Sequence, residues 1–429
     1  MTLESPYWWD AQSRAAPPAA ALPESGSRAD VAVVGAGYTG LAAARVLARS
    51  GARVVVLERE RIGWGASSRN GGQVLTGLKV DPVTLASRLG EARLGELFAV
   101  SIEAIATLEA VVADEGIACD YARTGHAQAA ARPSHFEAFK AEQALLARAC
   151  GHRVELVPRA RQRSEIGSDA YHGVMVDERS GAISPARYVD GLAAAARRAG
   201  AVLTEGAGVD RIDRDGRGWR LRIEGGATIE AAQVLLATNG YADAAAGWLR
   251  RRVVPIGSYA IATEPLGPDL ARAVLPTGRM AFDSRQFLRY FRLTPDRRLL
   301  FGGRAVFAAP TPDTTRRSAE VLARDLRAVF PELSDVHVDY AWSGTVGFTR
   351  DQLPHAGTSV DGLHYAAGYC GHGVAMATYL GGLMARRMLG ETIAHPLIDR
   401  AWPAIPLYDG RPWFLPLVGA FYRLKDWID

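Results

Sequence analysis

The sequence predicts a mixed α/β (α+β) fold, and three observations lead to this prediction. First, an apolar strand pattern at 31–34 runs into a glycine-rich turn at 35–40 and a helical pattern, and a second apolar strand at 53–57 completes a βαβ unit. Second, the segment 253–342 has mainly strand patterns. Third, further apolar strand patterns return the chain to the first sheet at 201–204, 234–237 and 363–367. Together they indicate a Rossmann-like domain with a β-rich domain inserted into it.

The turn Gly35-Ala36-Gly37-Tyr38-Thr39-Gly40 has the spacing of a dinucleotide-binding fingerprint. In such a turn Gly35 permits the sharp bend, Gly37 lets a pyrophosphate approach the backbone, and Gly40 lets the helix pack on the strand. The phosphates then lie at the helix N-terminus. Glu58 ends the second strand, where a carboxylate accepts hydrogen bonds from a ribose diol and repels a 2′-phosphate. This motif alone does not distinguish FAD from NAD.

The remaining elements follow from capping and turn signals. Asp81 and Pro82 fit a helix N-cap and the first helical residue, so we expect helical structure from there to about residue 115. Further helices are expected over 134–149, 184–198, 318–329 and 372–389. A small meander is expected over 209–213, 219–223 and 227–229, and strands of the β-rich segment over 256–263, 279–283, 287–293 and 299–303.

These elements divide the chain into a discontinuous nucleotide-binding domain and a substrate domain. The nucleotide-binding domain is expected to comprise 29–80, 150–250 and 343–395, and the substrate domain 81–149 and 251–342. Residues 1–28 are expected to form an irregular lead-in, and 396–429 an apolar tail. The aromatic cluster Tyr7-Trp8-Trp9 of the lead-in suits either packing on the domain or capping a site. The tail could pack, cover the substrate entrance or make peripheral contact with a membrane.

Composition excludes several classes of protein. The chain of 429 residues suits two joined domains, and its hydrophobic fraction of 48% with 22% charged residues is that of a globular protein. No apolar run approaches the length of a transmembrane helix, and the N-terminus lacks signal-peptide features, so we expect a cytoplasmic protein. The arginines are scattered among acids at a net charge of +4, which argues against nucleic-acid binding. Cys119, Cys150 and Cys370 are unclustered, so neither a disulfide framework nor a metal site is expected.

Four ordered motifs give the chain a family resemblance. The turns 35–40, 65–73, 237–240 and 368–373 together resemble the D-amino-acid-oxidase-like family of FAD-dependent amine oxidoreductases, and most closely the gamma-glutamylputrescine oxidoreductase group. The resemblance extends over essentially the whole chain from about Asp30. It implies a glutathione-reductase-type fold and FAD as the cofactor. It also implies hydride transfer from an amine-bearing carbon to flavin N5, giving an imine that hydrolyses to an aldehyde or ketone.

The resemblance also implies a set of cofactor-binding residues. An independent argument supports the helix that begins near His372, because its free amides and positive dipole end would stabilise the negative charge of a reduced flavin. Family members that bind FAD covalently do so through a histidine or a cysteine. This chain has Arg69 and Gly344 at those two positions, so noncovalent FAD is expected. The implied cofactor-binding residues are Gly35, Gly37, Tyr38, Thr39, Gly40, Glu58, Arg59, Gly65, Ala66, Ser67, Arg69, Asn70, Gly71, Gly72, Gln73, Val209, Ala237, Thr238, Gly240, Gly347, Gly371, Gly373, Val374, Ala375 and Met376.

The predicted substrate-contacting residues are Tyr259, Tyr290, Trp342 and His372. Aromatic rings hold an amine by cation–π contact and exclude water, and a dry pocket favours the neutral amine that can be oxidised. Tyr259 and Tyr290 both lie in strand patterns, so the alternative to substrate contact is that their rings pack in the core. A second dinucleotide fingerprint is missing, so electrons are expected to come from a small-molecule amine and to pass to dioxygen or another acceptor. None of the three lysines falls in a motif suited to activating dioxygen, and His372 or a protonated product amine is the alternative source of positive charge.

Other functions remain open at this point. Sarcosine-type oxidases of the family carry a lysine where this chain has Ala375, which disfavours an α-amino acid. An oxidase or dehydrogenase of an N-methyl or D-amino acid is nevertheless an alternative, since an arginine such as Arg289 or Arg304 could bind the carboxylate. A non-catalytic flavin scaffold or sensor is another. An NAD(P)-dependent dehydrogenase has the least support.

Overall fold

The computed structural model describes residues 2–12, 24–303, 310–415 and 419. In this part of the chain the helices, numbered in chain order, are α1 Tyr7–Asp10, α2 Tyr38–Arg49, α3 Ala66–Arg69, α4 Pro82–Leu89, α5 Glu91–Asp114, α6 Pro133–Cys150, α7 Pro185–Arg198, α8 Gly247–Arg250, α9 Pro268–Val274, α10 Pro312–Val329 and α11 Gly373–Met388. Short 3-10 helices lie at Arg159–Ser164, Asn239–Tyr241 and Pro331–Leu333.

The strands form two sheets of eight and one pair. They are β1 Ser27–Val34, β2 Val54–Leu57, β3 Gln73–Val74, β4 His126–Ala129, β5 Glu155–Pro158, β6 Gly173–Asp177, β7 Gly181–Ala182, β8 Val202–Thr204, β9 Val209–Asp215, β10 Gly218–Ile223, β11 Thr228–Leu236, β12 Val254–Pro265, β13 Met280–Asp283, β14 Arg289–Leu293, β15 Arg298–Gly303, β16 Val338–Phe348, β17 His355–Thr358 and β18 His364–Ala367.

The first sheet has the strand order β17-β18-β11-β1-β2-β8, with β10 and β9 extending from β11. Its central strands are parallel, so their carboxyl ends lie along one edge. Gly35 N–H donates to Leu57 O at 2.9 Å and Ala237 N–H to Val34 O at 2.9 Å, which brings the turns after β1, β2 and β11 together. This arrangement confirms the predicted βαβ unit and the mixed α/β fold.

The second sheet has the order β16-β12-β15-β14-β13-β4-β6-β5. α10 covers one face, where Leu322 and Leu326 join the buried cluster of Phe291 and Phe301. β5 and β6 belong to this sheet, although they come from the 150–250 segment, because β6 is the antiparallel neighbour of β4. β16 is continuous across the predicted boundary at 342/343. The division of the chain into domains remains a prediction.

Three elements differ from their predicted bounds. The strands expected at 227–229 and 234–237 are one strand, β11, which pairs antiparallel with β10 and parallel with β1. Gly90 has φ +86° and separates α4 from α5 within the predicted helical region. α10 begins at Pro312 rather than near 318, because Thr311 and Thr314 form a capping box at its start.

The N-terminal segment packs against β16 of the second sheet and against the chain at α3. Leu3 pairs with β16, donating to Asp339 O at 2.7 Å, and Tyr7 and Trp8 are buried. Trp8 Nε1 donates to Asn70 O at 2.9 Å, and Trp9 Nε1 to Ser68 Oγ at 2.8 Å. The aromatic cluster therefore packs beneath the segment that follows α3, which was the first of its two predicted roles.

Within the described ranges, no helix has the length and apolarity needed to cross a bilayer. The three cysteines are free, and the described residues contain no group of three or more His, Cys, Asp or Glu arranged to hold a metal ion. Most of the predicted C-terminal tail beyond residue 415, and Arg304, lie outside the described residues.

Candidate active site

A cavity of about 1300 Å³ connects the carboxyl edge of the first sheet with one face of the second. One end contains the glycine turn after β1, and the other is bordered by β4, β6 and α6. This volume exceeds the usual 300–1,000 Å³ of a site for a single small molecule. It therefore suits a dinucleotide and a second ligand together.

The glycine turn is shaped to expose backbone amides. Gly35 has φ +103°, a left-handed conformation that favours glycine. A Cβ at Gly37 would lie 2.9 Å from Ser67 Oγ, and one at Gly40 would lie closer than 3.0 Å to Gly35 O. A side chain at position 37 or 40 is thus excluded. The N-terminus of α2 opens on the cavity.

The acidic residue after β2 lies beside this turn. Glu58 Oε2 accepts a hydrogen bond from Ala36 N at 2.8 Å, and Oε1 accepts one from Glu60 N at 3.1 Å. Burial raises the pKa of the Glu58 carboxyl. Arg59 also lines the cavity but forms ion pairs with Glu224 and Asp243. Glu58 is therefore the carboxylate best placed for a ribose hydroxyl.

Arg69 is held between aromatic rings at the cavity wall. Its Nε donates to Trp64 O at 2.8 Å and Nη1 to Ser343 O at 3.1 Å, and its guanidinium lies 4.5 Å and 4.6 Å from the ring centroids of Trp9 and Trp64. Burial lowers its pKa. A Cβ at Gly344 would lie 3.4 Å from Arg69 Cβ, so these two positions adjoin.

His372 is the N-cap of α11, whose N-terminus faces the cavity. Its Nδ1 is enclosed and has no hydrogen-bond partner among the described residues. Burial, and then the charge of Lys79, lower the pKa of His372 to about 3. The imidazole is therefore neutral, which removes it as a source of positive charge. Lys79, which the sequence did not indicate, lines the cavity instead.

The two predicted aromatic contacts on β12 and β14 have different environments. Tyr290 lies against Gly71, where a Cβ would be 2.8 Å from its Cε2, and burial raises the pKa of its hydroxyl to about 12. Tyr259 is 1% exposed, and its ring belongs to the cluster beneath α10, where its hydroxyl interacts with Thr314. Tyr259 therefore packs in the core and also lines the cavity, and its contact with a substrate remains a prediction.

Trp342 lines the cavity and is held by one polar contact. Its Nε1 donates to Arg69 O at 2.8 Å, and its ring packs with Trp8 and Tyr7. Only 3% of Trp342 is exposed, so its ring presents a narrow surface.

Most of the predicted cofactor residues meet at this cavity, and six do not. Gly40 faces Gly35 in the contact between α2 and β1, and Gly240 and Gly347 pack on each other. Gly72 faces Ile183 O. Ala375 and Met376 are buried in the core beneath α11. These six residues do not line the cavity, and their contact with the cofactor remains a prediction. The residues that line the cavity are Gly35, Gly37, Tyr38, Thr39, Glu58, Arg59, Gly65, Ala66, Ser67, Arg69, Asn70, Gly71, Gln73, Val209, Ala237, Thr238, Gly371, Gly373 and Val374.

The chain matches the family described as "DAO: FAD dependent oxidoreductase" over residues 30–387. It belongs to this family. The probable oxidoreductase OrdL of Rhizobium meliloti (strain 1021) is 34% identical to it, covering 99% of this chain and 100% of that protein. Gamma-glutamylputrescine oxidoreductase of Escherichia coli (strain K12) is 33% identical over 92% of each chain. These findings confirm the resemblance seen in the sequence.

Among solved structures, glycine oxidase from Geobacillus kaustophilus superimposes on this FAD-dependent oxidoreductase with a TM-score of 0.74. The match covers 86% of this chain and 97% of the glycine oxidase, at 24% identity. It shows that the two proteins share a fold.

The residues of this FAD-dependent oxidoreductase fit the cofactor of its family. The glycine turn offers free amides for a pyrophosphate, and Glu58 offers a carboxylate for a ribose. Two buried polar atoms at the cavity wall, Thr238 Oγ1 and His372 Nδ1, have no hydrogen-bond partner among the described residues. Such orphaned groups are costly unless a ligand satisfies them. FAD has polar atoms along its whole length that can do so.

Four of the cavity residues that the sequence analysis missed lie on the second sheet and α6. His126 and Gln128 lie on β4, Phe282 on β13 and Glu142 on α6. No strand pattern marks β4 in the sequence, because this strand is only four residues long and includes two polar side chains.

Proposed function

We propose that this protein oxidises the C–N bond of a primary or secondary amine related to gamma-glutamylputrescine, using noncovalently bound FAD. The observation that carries the proposal is the single cavity that joins the glycine turn to the aromatic and polar face of the second sheet. The similarity to gamma-glutamylputrescine oxidoreductase over 92% of the chain supports the choice of an amine.

Three parts of the chain would hold the cofactor. The turn at Gly35 and Gly37 would bind the pyrophosphate, Glu58 the ribose, and the N-terminus of α11 the ring system. When bound, FAD supplies the acceptor for the hydride that leaves the carbon next to the amine nitrogen. The positive end of the α11 dipole favours the negative charge that reduction creates.

The chain's own contribution to the chemistry is to orient and desolvate the amine. Tyr290 and Trp342 provide aromatic surface at the cavity, and desolvation favours the neutral form of an amine over its ammonium form. His372 is neutral, so it adds no charge that would repel a substrate ammonium ion on entry. Lys79 also lines the cavity, and its charge helps to lower the pKa of His372, so it contributes positive charge to this region.

Noncovalent binding is supported by the chemistry of the nearest side chains. Arg69 and Gly344, which adjoin at the cavity wall, offer no nucleophile. Cys370 also lines the cavity, but burial raises its pKa to about 11 and its thiol donates to Gly368 O at 3.1 Å. A protonated thiol is a poor nucleophile.

The test is anaerobic reduction of the purified flavoprotein by a panel of amines, followed by admission of air. We expect gamma-glutamylputrescine and related amines to bleach the flavin absorbance. Reoxidation by air would identify an oxidase, and a stable reduced flavin would identify transfer to another acceptor. Bleaching only by N-methyl or D-amino acids would replace the proposal with that activity. A flavoprotein that no amine bleaches would be a scaffold or sensor instead.

A matched pair of variants adds a site-specific readout. Trp342→Phe alters the cavity wall, whereas Trp248→Phe alters a tryptophan that packs against Tyr365 and does not line the cavity. We expect only the first substitution to change the rate of flavin reduction by substrate. Equal effects of the two would argue against an active site at Trp342.

A further inference from the structure

The segment 69–73 forms part of the cavity wall, and side chains behind it hold its carbonyl oxygens. Four of its five residues line the cavity. Trp342 Nε1 donates to Arg69 O at 2.8 Å, and Trp8 Nε1 donates to Asn70 O at 2.9 Å. The backbone of this segment therefore separates the cavity from a layer of hydrogen-bond donors.

Arg292 on β14 belongs to this layer of donors and is 5% exposed. Its Nη1 donates to Gly72 O and to Ile183 O, both at 2.9 Å, and its Nε donates to Leu293 O at 3.1 Å. Ile183 N–H also donates to Gly72 O at 2.9 Å. One nitrogen of Arg292 thus ties two separate pieces of the first domain to the second sheet, and it fixes the position of Gly72.

Gly72 lets the guanidinium approach the backbone. A Cβ at Gly72 would lie 2.7 Å from Arg292 Nη1 and 2.2 Å from Ile183 O, so a side chain is excluded there. Tyr290, two residues before Arg292, lies on the same face of β14, and its ring lies against Gly71. β14 therefore supports the cavity wall with two neighbouring side chains at two successive glycines.

The guanidinium of Arg292 is a buried charge without a counter-ion. All its hydrogen bonds with described residues go to backbone carbonyls, and Asp120, whose charge acts on it, is itself paired with Arg187. Burial lowers the pKa of Arg292 to about 10, so the side chain is protonated at neutral pH. Carbonyl oxygens and the ring of Trp8, whose centroid is 5.6 Å from Cζ, offset only part of the cost of burying this charge. Its positive potential therefore extends into the cavity, because buried charges are weakly screened.

We propose that Arg292 is a positioning residue that raises the reduction potential of the flavin through the segment 69–73. The inference rests on the FAD of the proposed function and names a residue that tunes that same site. The hydrogen bonds of Arg292 hold the cavity wall in one conformation. Its charge favours the reduced cofactor, which is more negative than the oxidised one. This effect adds to that of the α11 dipole.

The test is the midpoint potential of the bound flavin, measured in equilibrium with a reference dye on the FAD-loaded protein. Arg292→Met removes the charge and the three hydrogen bonds. We expect it to lower the preference for reduced over oxidised flavin by roughly threefold to tenfold. For a two-electron couple this corresponds to a potential about 14–30 mV more negative.

Arg292→Lys separates the charge from the hydrogen-bond geometry. It keeps the positive charge, so we expect it to retain the wild-type potential. Its compact ammonium fits the two carbonyls less well than the guanidinium does, so we expect FAD to bind roughly twofold to tenfold more weakly.

Arg45→Met is the control for the loss of a buried arginine. Arg45 is 8% exposed and pairs with Glu115, and it does not line the cavity. We expect its loss to lower the free energy of unfolding in urea without changing the potential. If Arg292→Met does not fold, Arg292→Gln, which removes the charge but keeps an N–H donor, must show the same shift.

A potential that neither Arg292→Met nor Arg292→Gln changes would overturn the proposal. An equal shift in Arg292→Lys or in Arg45→Met would overturn it as well. The measurement requires no substrate. Failure of every amine to reduce the flavin would therefore refute the proposed function, whereas the potential alone decides the role of Arg292.

Discussion

Replacing Gly302 by alanine is a sharp test of how Tyr290 is held in the active site. Gly302 on β15 is the direct cross-strand partner of Tyr290 on β14. A Cβ at Gly302 would lie closer than 3.0 Å to three atoms of the Tyr290 side chain, namely two ring carbons and the hydroxyl oxygen. On its other side the ring is limited by Gly71, where a Cβ would be 2.8 Å from it. The ring has no direction in which to retreat without moving the backbone.

The magnitude follows from two opposing terms. Overpacking of this kind costs about 1–3 kcal/mol of the free energy of unfolding. Gly302 is not among the glycines with positive φ, so alanine suits its backbone and gains about 0.4–1 kcal/mol through the unfolded state. The net loss for Gly302→Ala is therefore between about 0 and 2.6 kcal/mol, with a central value of about 1.3 kcal/mol. In a Tyr290→Ala background the clash is gone, and the same substitution should stabilise the protein by about 0.5 kcal/mol.

Urea unfolding of the four proteins in this double-mutant cycle measures both values, and flavin reduction by substrate measures the effect on the site. We expect Gly302→Ala to destabilise the parent and to slow flavin reduction. Gly382→Ala is the control, because nothing lies within 4 Å of a Cβ at that position. The reasoning fails if Gly302→Ala has the same effect on stability with and without the Tyr290 ring.

Two further results are expected. Acid precipitation of the yellow protein should leave the flavin in the supernatant, because the Cys370 thiol is protonated and no tether forms; flavin retained in the pellet contradicts this. Trp9→Phe removes the hydrogen bond to Ser68 and should weaken FAD binding by roughly twofold to tenfold in a fluorescence titration, whereas Trp413→Phe at an exposed site should not.

The sequence predicted what local patterns encode. The βαβ unit was found because the apolar strand, Gly35 and Glu58 occur within one short segment whose spacing has a known cause. β4 was missed because His126 and its neighbours have no strand periodicity and gain their place by pairing with β13, some 150 residues away. Because β4 was missed, the sequence analysis also missed that one face of the second sheet lines the cavity.

The direction in which a side chain points was the second feature that the sequence could not predict. Tyr259 and Tyr290 both lie in aromatic strand segments, and the sequence could not tell which ring faces the core. Pairing decides this, since Tyr290 lies over Gly302 whereas Tyr259 joins Leu322 beneath α10. The same holds for Glu142, whose helix was predicted but whose inward face depends on how α6 packs against β6.

The docking of the first residues against β16 has a consequence for how the chain is synthesised. Leu3 bonds to Asp339 and Ala341, and Tyr7 to Asp296. The ribosome makes the N-terminal segment first, but its partners are among the last parts of the described chain to emerge. Leu3 and Tyr7 therefore remain without these hydrogen-bond partners through most of translation. The segment that supports the region after α3 is set in place only when the second sheet is complete.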